Sequence, residues 1–441
     1  MNSSMFFKNN WLFYNFKETI LIVSLYWWVA LSSIINMGSI APVGFLGLLF
    51  LCAFYKPRTG LIALIAMFYL PIWGLGLPMA FVLSSAIVLS ANIFHINKQN
   101  YRVTKPLIMQ YCIFLLLRSV SIVFVENGDA FQSYLFVSFS VFIHLLIIPT
   151  LVYDSTDIKI VLHFWGLIGA LSAILGFLHF QFQDVVYLRQ IFTASGAFDK
   201  SAIGGSFDFV RWIWAGAEPN FTGLQLLIPL VINLSSASKD KSILSIVLTS
   251  ITFLGIFGTY SRTSLIVSIF VTAIYFILYK SYSKYFALIL APIAFLCIYM
   301  YFPEFVERAL SINEALDDGG SGRFPLFSEA IDNFCSNPLF GIGTGQTATV
   351  SKYHLESHNL YLQILAENGF FSLLLIVIIF WKYLRITYRY KQSYLLYFVA
   401  GLAVMLNACS VSLFDMRLLF TLFLLFYLNY YYDKSEFIGK Q

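Results

Sequence analysis

Charged residues are scarce in this sequence. They make up 11% of its 441 residues, whereas soluble chains carry about 25%. Together with 59% apolar residues and a mean hydropathy of +0.79, this scarcity excludes a large soluble domain and indicates a polytopic membrane protein. The net charge of +5 comes from bases in short segments between apolar runs, so we expect no nucleic-acid partner.

Cysteine patterns and cofactor motifs are also missing. Four of the five cysteines lie in apolar runs and only Cys335 falls in a long polar interval, so no disulfide framework or zinc site is indicated. There is no Walker loop, dinucleotide fingerprint, HExxH or CxxC motif. The one adjacent acid pair, Asp317-Asp318, lacks the spacing of a nucleotide-sugar metal motif. We therefore expect no metal, no cofactor and no soluble nucleotide-sugar donor.

Apolar runs fill most of the chain, and about 17–25 apolar residues are needed to cross a bilayer. We predict fourteen spans, with the short pairs 40–55/59–75 and 243–259/263–279 as candidates for re-entrant or tilted segments and twelve spans as the alternative total. The first has no small-residue cleavage site, so we expect it to remain as an anchor. The spans are 16–37, 40–55, 59–75, 78–95, 107–125, 130–152, 160–181, 220–237, 243–259, 263–279, 285–302, 359–381, 394–412 and 415–432.

Basic residues indicate the topology, because short cytoplasmic loops carry an excess of lysine and arginine. With a cytoplasmic N-terminus, alternate loops hold Lys56/Arg58, Lys98/Arg102/Lys105, Lys159, Lys239/Lys241, Lys280/Lys284 and the cluster from Lys382 to Lys391. The opposite face receives Glu126/Asp129, an outer loop over 182–219, the turn 258–264 and a large loop over about 303–357. We expect one integral membrane domain over 1–441, with these two loops within it.

The loop 303–357 is the longest polar interval and has a helical pattern of its own. Phe327, Ala330, Ile331 and Phe334 recur at helical spacing after Ser321, which is suited to capping. Asn337-Pro338 predicts the end of that helix, and the GIGTG sequence after it predicts a flexible turn. Loops on a rigid framework commonly carry chemistry.

Arg211 precedes a predicted span, in the sequence DFVRWIWAGAEPN. One interpretation is an interfacial arginine beside Trp212 and Trp214. The other is an anion clamp, because a guanidinium matches phosphate oxygens. Glu218-Pro219-Asn220 nearby is typical of a helix start.

Two more arginines allow the same two interpretations. Arg262 lies in a short turn beside Ser261 and Thr263, where a following helix N-terminus would favour anions. Arg323 follows the glycine-rich sequence DDGGSG, whose backbone N–H groups can turn toward an anion. Each is otherwise a solvated or interfacial arginine.

His358 lies at the outer end of a span, in the sequence HLESHNLYLQILAENG. A lone histidine at a helix start is more often structural than catalytic. Histidine nevertheless titrates near neutrality, so it is the natural proton acceptor for a hydroxyl nucleophile. Asn359 is adjacent, and Glu367 is an acid at membrane depth, where such residues are usually paired or functional.

Four segments in order resemble the O-antigen polymerase/ligase superfamily, the Wzy- and WaaL-type membrane glycosyltransferases. The resemblance covers roughly 211–380 and is strongest in the last segment. The segments are R-x(6)-E-P-N from Arg211, T-Y-S-R ending at Arg262, S-G-R-F-P-L-F with S-N-P-L-F-G-I-G-T-G over 321–345, and S-H-N-L-Y-L-Q-I-L-A-E-N-G over 357–369.

The resemblance implies a metal-independent, inverting enzyme with a polyprenyl-diphosphate-linked glycan as donor. Arg211 and Arg323 would hold the diphosphate, His358 would be the catalytic base, and Arg262 would assist. Glu218, Asn220, Asn359 and Glu367 would be supporting residues. The expected location is the bacterial inner membrane with a periplasmic active site, and the expected partners are lipid-linked donor and acceptor, membrane lipid and, as a further candidate, a chain-length regulator.

Three functions remain open from the sequence. A polymerase would elongate another lipid-linked repeat unit, and a ligase would transfer the glycan to lipid A–core. A lipid-linked oligosaccharide flippase is a different class, typified by internal repeats and charged or broken helices near the midplane. Here the ionisable residues gather mostly at one face, with Arg118, deep in an apolar run, as the exception. We therefore predict a polymerase, with ligase and flippase as alternatives.

Overall fold

The computed structural model describes residues 15–35, 40–70, 77–92, 98–181, 219–240, 242–279, 323–411 and 416–438. In these ranges the regular structure is helical and contains no strand, which confirms the all-α class. The helices are α1 Phe16–Ile35, α2 Ile40–Tyr55, α3 Pro57–Ala66, α4 Leu77–Asn92, α5 Lys98–Val120, α6 Gly128–Ile147, α7 Ser155–Gln181, α8 Pro219–Asp240, α9 Ile243–Gly258, α10 Arg262–Leu278, α11 Arg323–Ser336, α12 Thr347–Val350, α13 Leu360–Arg389, α14 Lys391–Asn407 and α15 Arg417–Ile438.

Several of these helices are long and apolar enough to cross a membrane, which confirms a polytopic membrane protein. Thirteen of the fourteen predicted spans overlap a described helix, and the span 285–302 lies outside the described residues. The total of twelve to fourteen stays a prediction. Among the described residues, five segments satisfy both criteria: Lys98–Phe124, Ser155–Leu178, Asn220–Lys239, Leu360–Arg389 and Lys391–Ser410.

The predicted span 59–75 takes a different form. Its helix, α3, has ten residues and is therefore about 15 Å long at 1.5 Å per residue, half of the hydrocarbon thickness. Every residue from Thr59 to Leu70 is buried. Protein surrounds this short helix on all sides, which is the condition under which non-helical backbone is tolerated at membrane depth.

The chain divides into two compact units. The first comprises Met1–Lys105, Ile143–Ser261 and Arg417–Gln441, and the second comprises Pro106–Phe142 and Arg262–Met416. In the first unit α7, α8 and α9 pack together, and Asn233 donates to the Gly166 carbonyl at 3.0 Å. In the second unit α13 packs against α11 and α14, and Asn407 donates to the Ser264 hydroxyl at 2.9 Å. Such hydrogen bonds link helices where apolar lipid supplies no hydrophobic drive.

Charged side chains meet at one end of the first unit. Glu18 accepts hydrogen bonds from Lys56 at 2.9 Å and Arg58 at 2.8 Å, and Arg58 also donates to Asp157 at 2.8 Å. The positive-inside rule assigned all three of these loop regions to the cytoplasmic face. Their contact confirms that they lie on the same side.

We expect Glu18→Ala to lower the free energy of unfolding by about 1.5–3 kcal/mol, the worth of a hydrogen bond to a charged group. The Glu18 side chain is 3% exposed and its loss would leave Arg58 with one carboxylate. Lys56→Ala is the matched control, because the Lys56 side chain is 42% exposed and a pair of this kind contributes about 1 kcal/mol or less. Thermal unfolding of the purified protein measures both, and equal losses would contradict the interpretation.

Candidate active site

Helix α11 confirms the predicted helix in the large loop but buries a different face. It ends at Ser336, directly before Asn337-Pro338. Leu326 and Ala330 are its buried residues, whereas Ile331 is 47% exposed. The predicted face was therefore wrong in part, because the stripe that packs against α13 is set by that neighbour and not by the summed hydrophobicity of the helix.

The glycine segment (residues 341–345) follows α11 and is buried throughout. The prediction of a flexible turn is wrong in this respect. The N–H of Ile342 donates to the Ala366 carbonyl at 2.9 Å, and the N–H of Gly343 donates to the Glu367 carbonyl at 3.1 Å. The segment is thereby fixed to α13 through its backbone.

A break in α13 at Gly369 makes these contacts possible. Gly369 has φ 74° and ψ −175° inside the helix, and the N–H of Phe370 donates to the Pro338 carbonyl at 2.9 Å. In an unbroken helix that N–H would bind the Ala366 carbonyl. Because it does not, Ala366 is available to accept from the glycine segment.

Glycine is required on both sides of this contact. A Cβ on Gly369 would lie 2.2 Å from the Leu339 carbonyl oxygen, and one on Gly341 would lie 2.3 Å from the Glu367 carbonyl carbon. Both residues also have positive φ, 74° and 71°, which side chains disfavour.

His358 stands immediately before α13 in a strained backbone conformation. Its φ is 48°, an uncommon value for a residue with a Cβ. Asn359 caps the helix, since its Oδ1 accepts from the N–H groups of Tyr361 at 3.0 Å and Leu362 at 3.1 Å. Residues held in such conformations cluster at functional sites, and the cap fixes the position from which the imidazole projects.

Arg323 is the first residue of α11 and is half-buried. The segment that leads to His358 is attached to this same helix. The Ser351 hydroxyl donates to Glu329 Oε2 at 2.7 Å, and the Lys352 N–H donates to Glu329 Oε1 at 3.3 Å. One glutamate of α11 therefore ties the chain approaching His358 to the helix that begins with Arg323.

Glu367 is 1% exposed and is paired through neutral donors. Its Oε1 accepts from the Thr347 hydroxyl at 2.5 Å and from Gln363 Nε2 at 3.0 Å. The bond from Thr347 joins α12 to α13, so the acid holds these two helices together.

The other predicted site residues are distributed as follows. Arg262 is the first residue of α10 and is half-buried, in the second unit with Arg323 and His358. Asn220 is buried near the start of α8 in the first unit. Arg211 and Glu218 lie outside the described residues. Among the described residues no group of three or more His, Cys, Asp or Glu is placed to hold a metal ion.

Two residues that the sequence did not single out as site candidates also reach this region. Gln346 Oε1 accepts from the N–H groups of Glu126 at 3.1 Å and Asn127 at 2.8 Å. Arg118 is 5% exposed, and its carbonyl accepts from the Thr344 hydroxyl at 3.2 Å. The one sequence signal for Arg118 was its isolated position in an apolar run, and Gln346 had none. The topology assigned Glu126 and the loop 303–357 to one face, and these contacts confirm that they lie on the same side.

Comparison with known families agrees with the motifs. The O-antigen ligase family model matches residues 247–377, a range that includes Arg262, Arg323, His358, Asn359 and Glu367. No curated protein matches the chain. The family match confirms the resemblance to the O-antigen polymerase/ligase superfamily. It supports a ligase- or polymerase-type function in lipopolysaccharide biosynthesis and does not distinguish the two.

We expect Gly369→Ala to destabilise the protein by about 1–3 kcal/mol, because alanine at this φ is strained and its Cβ would meet the Leu339 carbonyl. Gly128→Ala is the control, since no atom lies within 4 Å of the added Cβ there. Thermal unfolding and hydrogen exchange at 341–345 measure the effect. Similar results for both variants would contradict the interpretation that the hydrogen bonds rearranged at Gly369 order the glycine segment.

Proposed function

We propose that the protein is a surface-polysaccharide polymerase of the inner membrane. It transfers a polyprenyl-diphosphate-linked glycan to a hydroxyl of another lipid-linked repeat unit, on the periplasmic face. The observation that carries the proposal is that the family match includes Arg262, Arg323 and His358, three polar residues in a chain with few charges.

The glycan transfer requires two contributions from the protein, which are stabilisation of the leaving group and removal of a proton. The acceptor oxygen forms a bond to the anomeric carbon of the donor, and the bond from that carbon to the diphosphate oxygen breaks with its electron pair. Arg323 and Arg211 neutralise the charge that develops on the departing diphosphate. His358 receives the proton of the acceptor hydroxyl. Direct displacement inverts the anomeric centre, and the leaving group is already activated, so neither a metal nor a cofactor is part of the proposal.

The arrangement around His358 supports its role as base. Asn359 fixes the helix start that follows it, and the Ser351–Glu329 bond holds the segment before it against α11. The backbone is thus held on both sides of His358, which favours the positioning that general-base catalysis requires.

A ligase is the second candidate, because the matching family model carries that description. The two enzymes share donor and step and differ in the acceptor. The polymerase is preferred on the fourteen predicted spans and the 46 Phe and 27 Tyr of the sequence. A chain-length regulator is a further proposed partner.

The acceptor decides between them. The purified protein in nanodiscs, given lipid-linked repeat units alone, should produce glycans longer than one repeat without nucleotide or ion gradient. Gel electrophoresis of the products measures this. Extension only after addition of lipid A–core would identify a ligase. Movement of lipid across vesicles with no new glycosidic bond would identify a flippase and overturn the proposal.

We expect His358→Asn to lower the transfer rate by about 100- to 10,000-fold, the usual contribution of a general base. Asparagine tolerates the left-handed backbone of this position, so the helix start is preserved while the base is lost. His354→Asn is the matched control, because His354 has φ 52° and is exposed. It should retain near-normal transfer. Undiminished transfer by the His358 variant would remove this histidine from the mechanism.

A further inference from the structure

A small cavity in the second unit lies beside the start of α13. Its lining consists of Arg118, Leu360, Gln363, Ile364, Glu367, Asn368 and Met416. Arg118 comes from α5, outside the family match over 247–377. Leu360, which lines the cavity, stands two positions after His358 in the chain.

Three residues that line this cavity carry polar atoms without protein partners. Among the described residues, Arg118 Nε, Gln363 Oε1 and Asn368 Oδ1 are buried and make no hydrogen bond. Their side chains belong to residues that are 5%, 3% and 1% exposed, respectively. Leaving such groups unpaired is costly, so a ligand that pairs them is favoured.

The hydrogen bonds of the Gln363 and Asn368 side-chain amides determine which of their atoms remain available to a ligand. Gln363 Nε2 must face the acceptor Glu367 Oε1, at 3.0 Å. Asn368 Nδ2 donates to the Thr344 hydroxyl at 2.6 Å. Both amides therefore present an acceptor oxygen to a ligand. Arg118 uses Nη1 to donate to Ser138 at 2.7 Å and retains Nε–H as a donor.

This combination selects the chemistry of the ligand. A phosphate only accepts hydrogen bonds, so it would leave both amide oxygens unpaired and would lie beside the carboxyl group of Glu367. A cation would lie against the guanidinium of Arg118. Each hydroxyl group has one O–H to donate and can also accept, so two neighbouring hydroxyl groups satisfy both amide oxygens and the Nε–H without bringing charge.

Helix length places Arg118 in the outer half of the bilayer. It is thirteen residues along α5 from Lys105, the last basic residue before the apolar run, which is about 20 Å at 1.5 Å per residue, two thirds of the hydrocarbon thickness. Arg118 therefore lies nearer the predicted outer face than the cytoplasmic one.

We propose that this cavity binds two neighbouring hydroxyl groups of the neutral sugar carried by the lipid-linked substrate. One hydroxyl donates to Gln363 Oε1 and the other to Asn368 Oδ1, and Arg118 Nε–H donates to one of the two hydroxyl oxygens. The proposal rests on the proposed function for the origin of the sugar. Arg118 is thereby a substrate-positioning residue that lies outside every motif of the superfamily resemblance.

Binding without transfer tests the proposal. The thermal unfolding midpoint of the full chain in nanodiscs is followed against increasing hexose, 6-deoxyhexose or N-acetylhexosamine. A parallel titration uses inorganic diphosphate at constant ionic strength. At least one sugar should give a saturable rise beyond the general stabilisation by excluded solutes. Arg118→Met and Asn368→Ala should each weaken that sugar by about tenfold, the loss of one hydrogen bond, and leave the diphosphate response unchanged.

The control variant is Asn407→Ala. Asn407 is buried and its Oδ1 is also without a partner among the described residues, but it does not line the cavity. Its sugar affinity should equal that of the wild type. Three results would each overturn the proposal. The first is no saturable response to any sugar, which would leave water as the occupant of the cavity. The second is unchanged sugar affinity in both cavity variants, and the third is that these variants lose the diphosphate response and keep the sugar response. Absence of any diphosphate response in the wild type would count against the proposed function alone.

Discussion

The exchange of backbone hydrogen bonds at Gly369 is the constraint on which the rest of this region depends. By leaving the helical conformation, Gly369 directs the N–H of Phe370 to Pro338 and releases the Ala366 carbonyl to Ile342. An apolar environment makes every unpaired backbone group costly, so the broken turn of α13 and the segment after α11 pair their backbone groups with each other. The glycine segment, α11 and the start of α13 consequently form one fixed body in the second unit.

Charge is used sparingly, and each buried charge has a specific environment. At the predicted cytoplasmic end of the first unit, Glu18 is matched by two bases at hydrogen-bonding distance. At the predicted outer end of the second unit, Glu367 is satisfied by a hydroxyl and an amide. The ion pairs of Glu18 fix a loop, whereas the neutral donors to Glu367 leave a polar surface available for a substrate.

Local patterns predicted the helices well, because their signals lie within one segment. The spacing of Ala330 and Phe334 and the stop at Asn337-Pro338 were sufficient for α11. What failed depends on distant partners. The buried face of α11 is selected by α13, and the glycine segment is ordered by residues about 25 positions later. Arg118 meets Gln363 and Asn368 across some 245 positions, a distance at which a single sequence carries no signal of contact.

The site residues were recognised through their motifs more than through their spacing. His358, Asn359 and Glu367 all belong to one sequence motif over 357–369, and the structure gives a physical role to Asn359 as a helix cap. Their catalytic and binding roles stay predictions. The family match covers the second part of the chain, so the first unit is known here by its helices and its buried polar contacts.

The break at Gly369 also divides α13 into two lengths with different surroundings. From Phe370 to Trp381, before the basic cluster that begins at Lys382, there are twelve residues, about 18 Å of helix, which is too short to cross the lipid tails. The nine residues from Leu360 to Asn368 supply the remaining depth. Gln363 and Glu367 therefore lie in the outer part of the bilayer, on the side from which a glycan tethered to a lipid approaches without leaving its anchor.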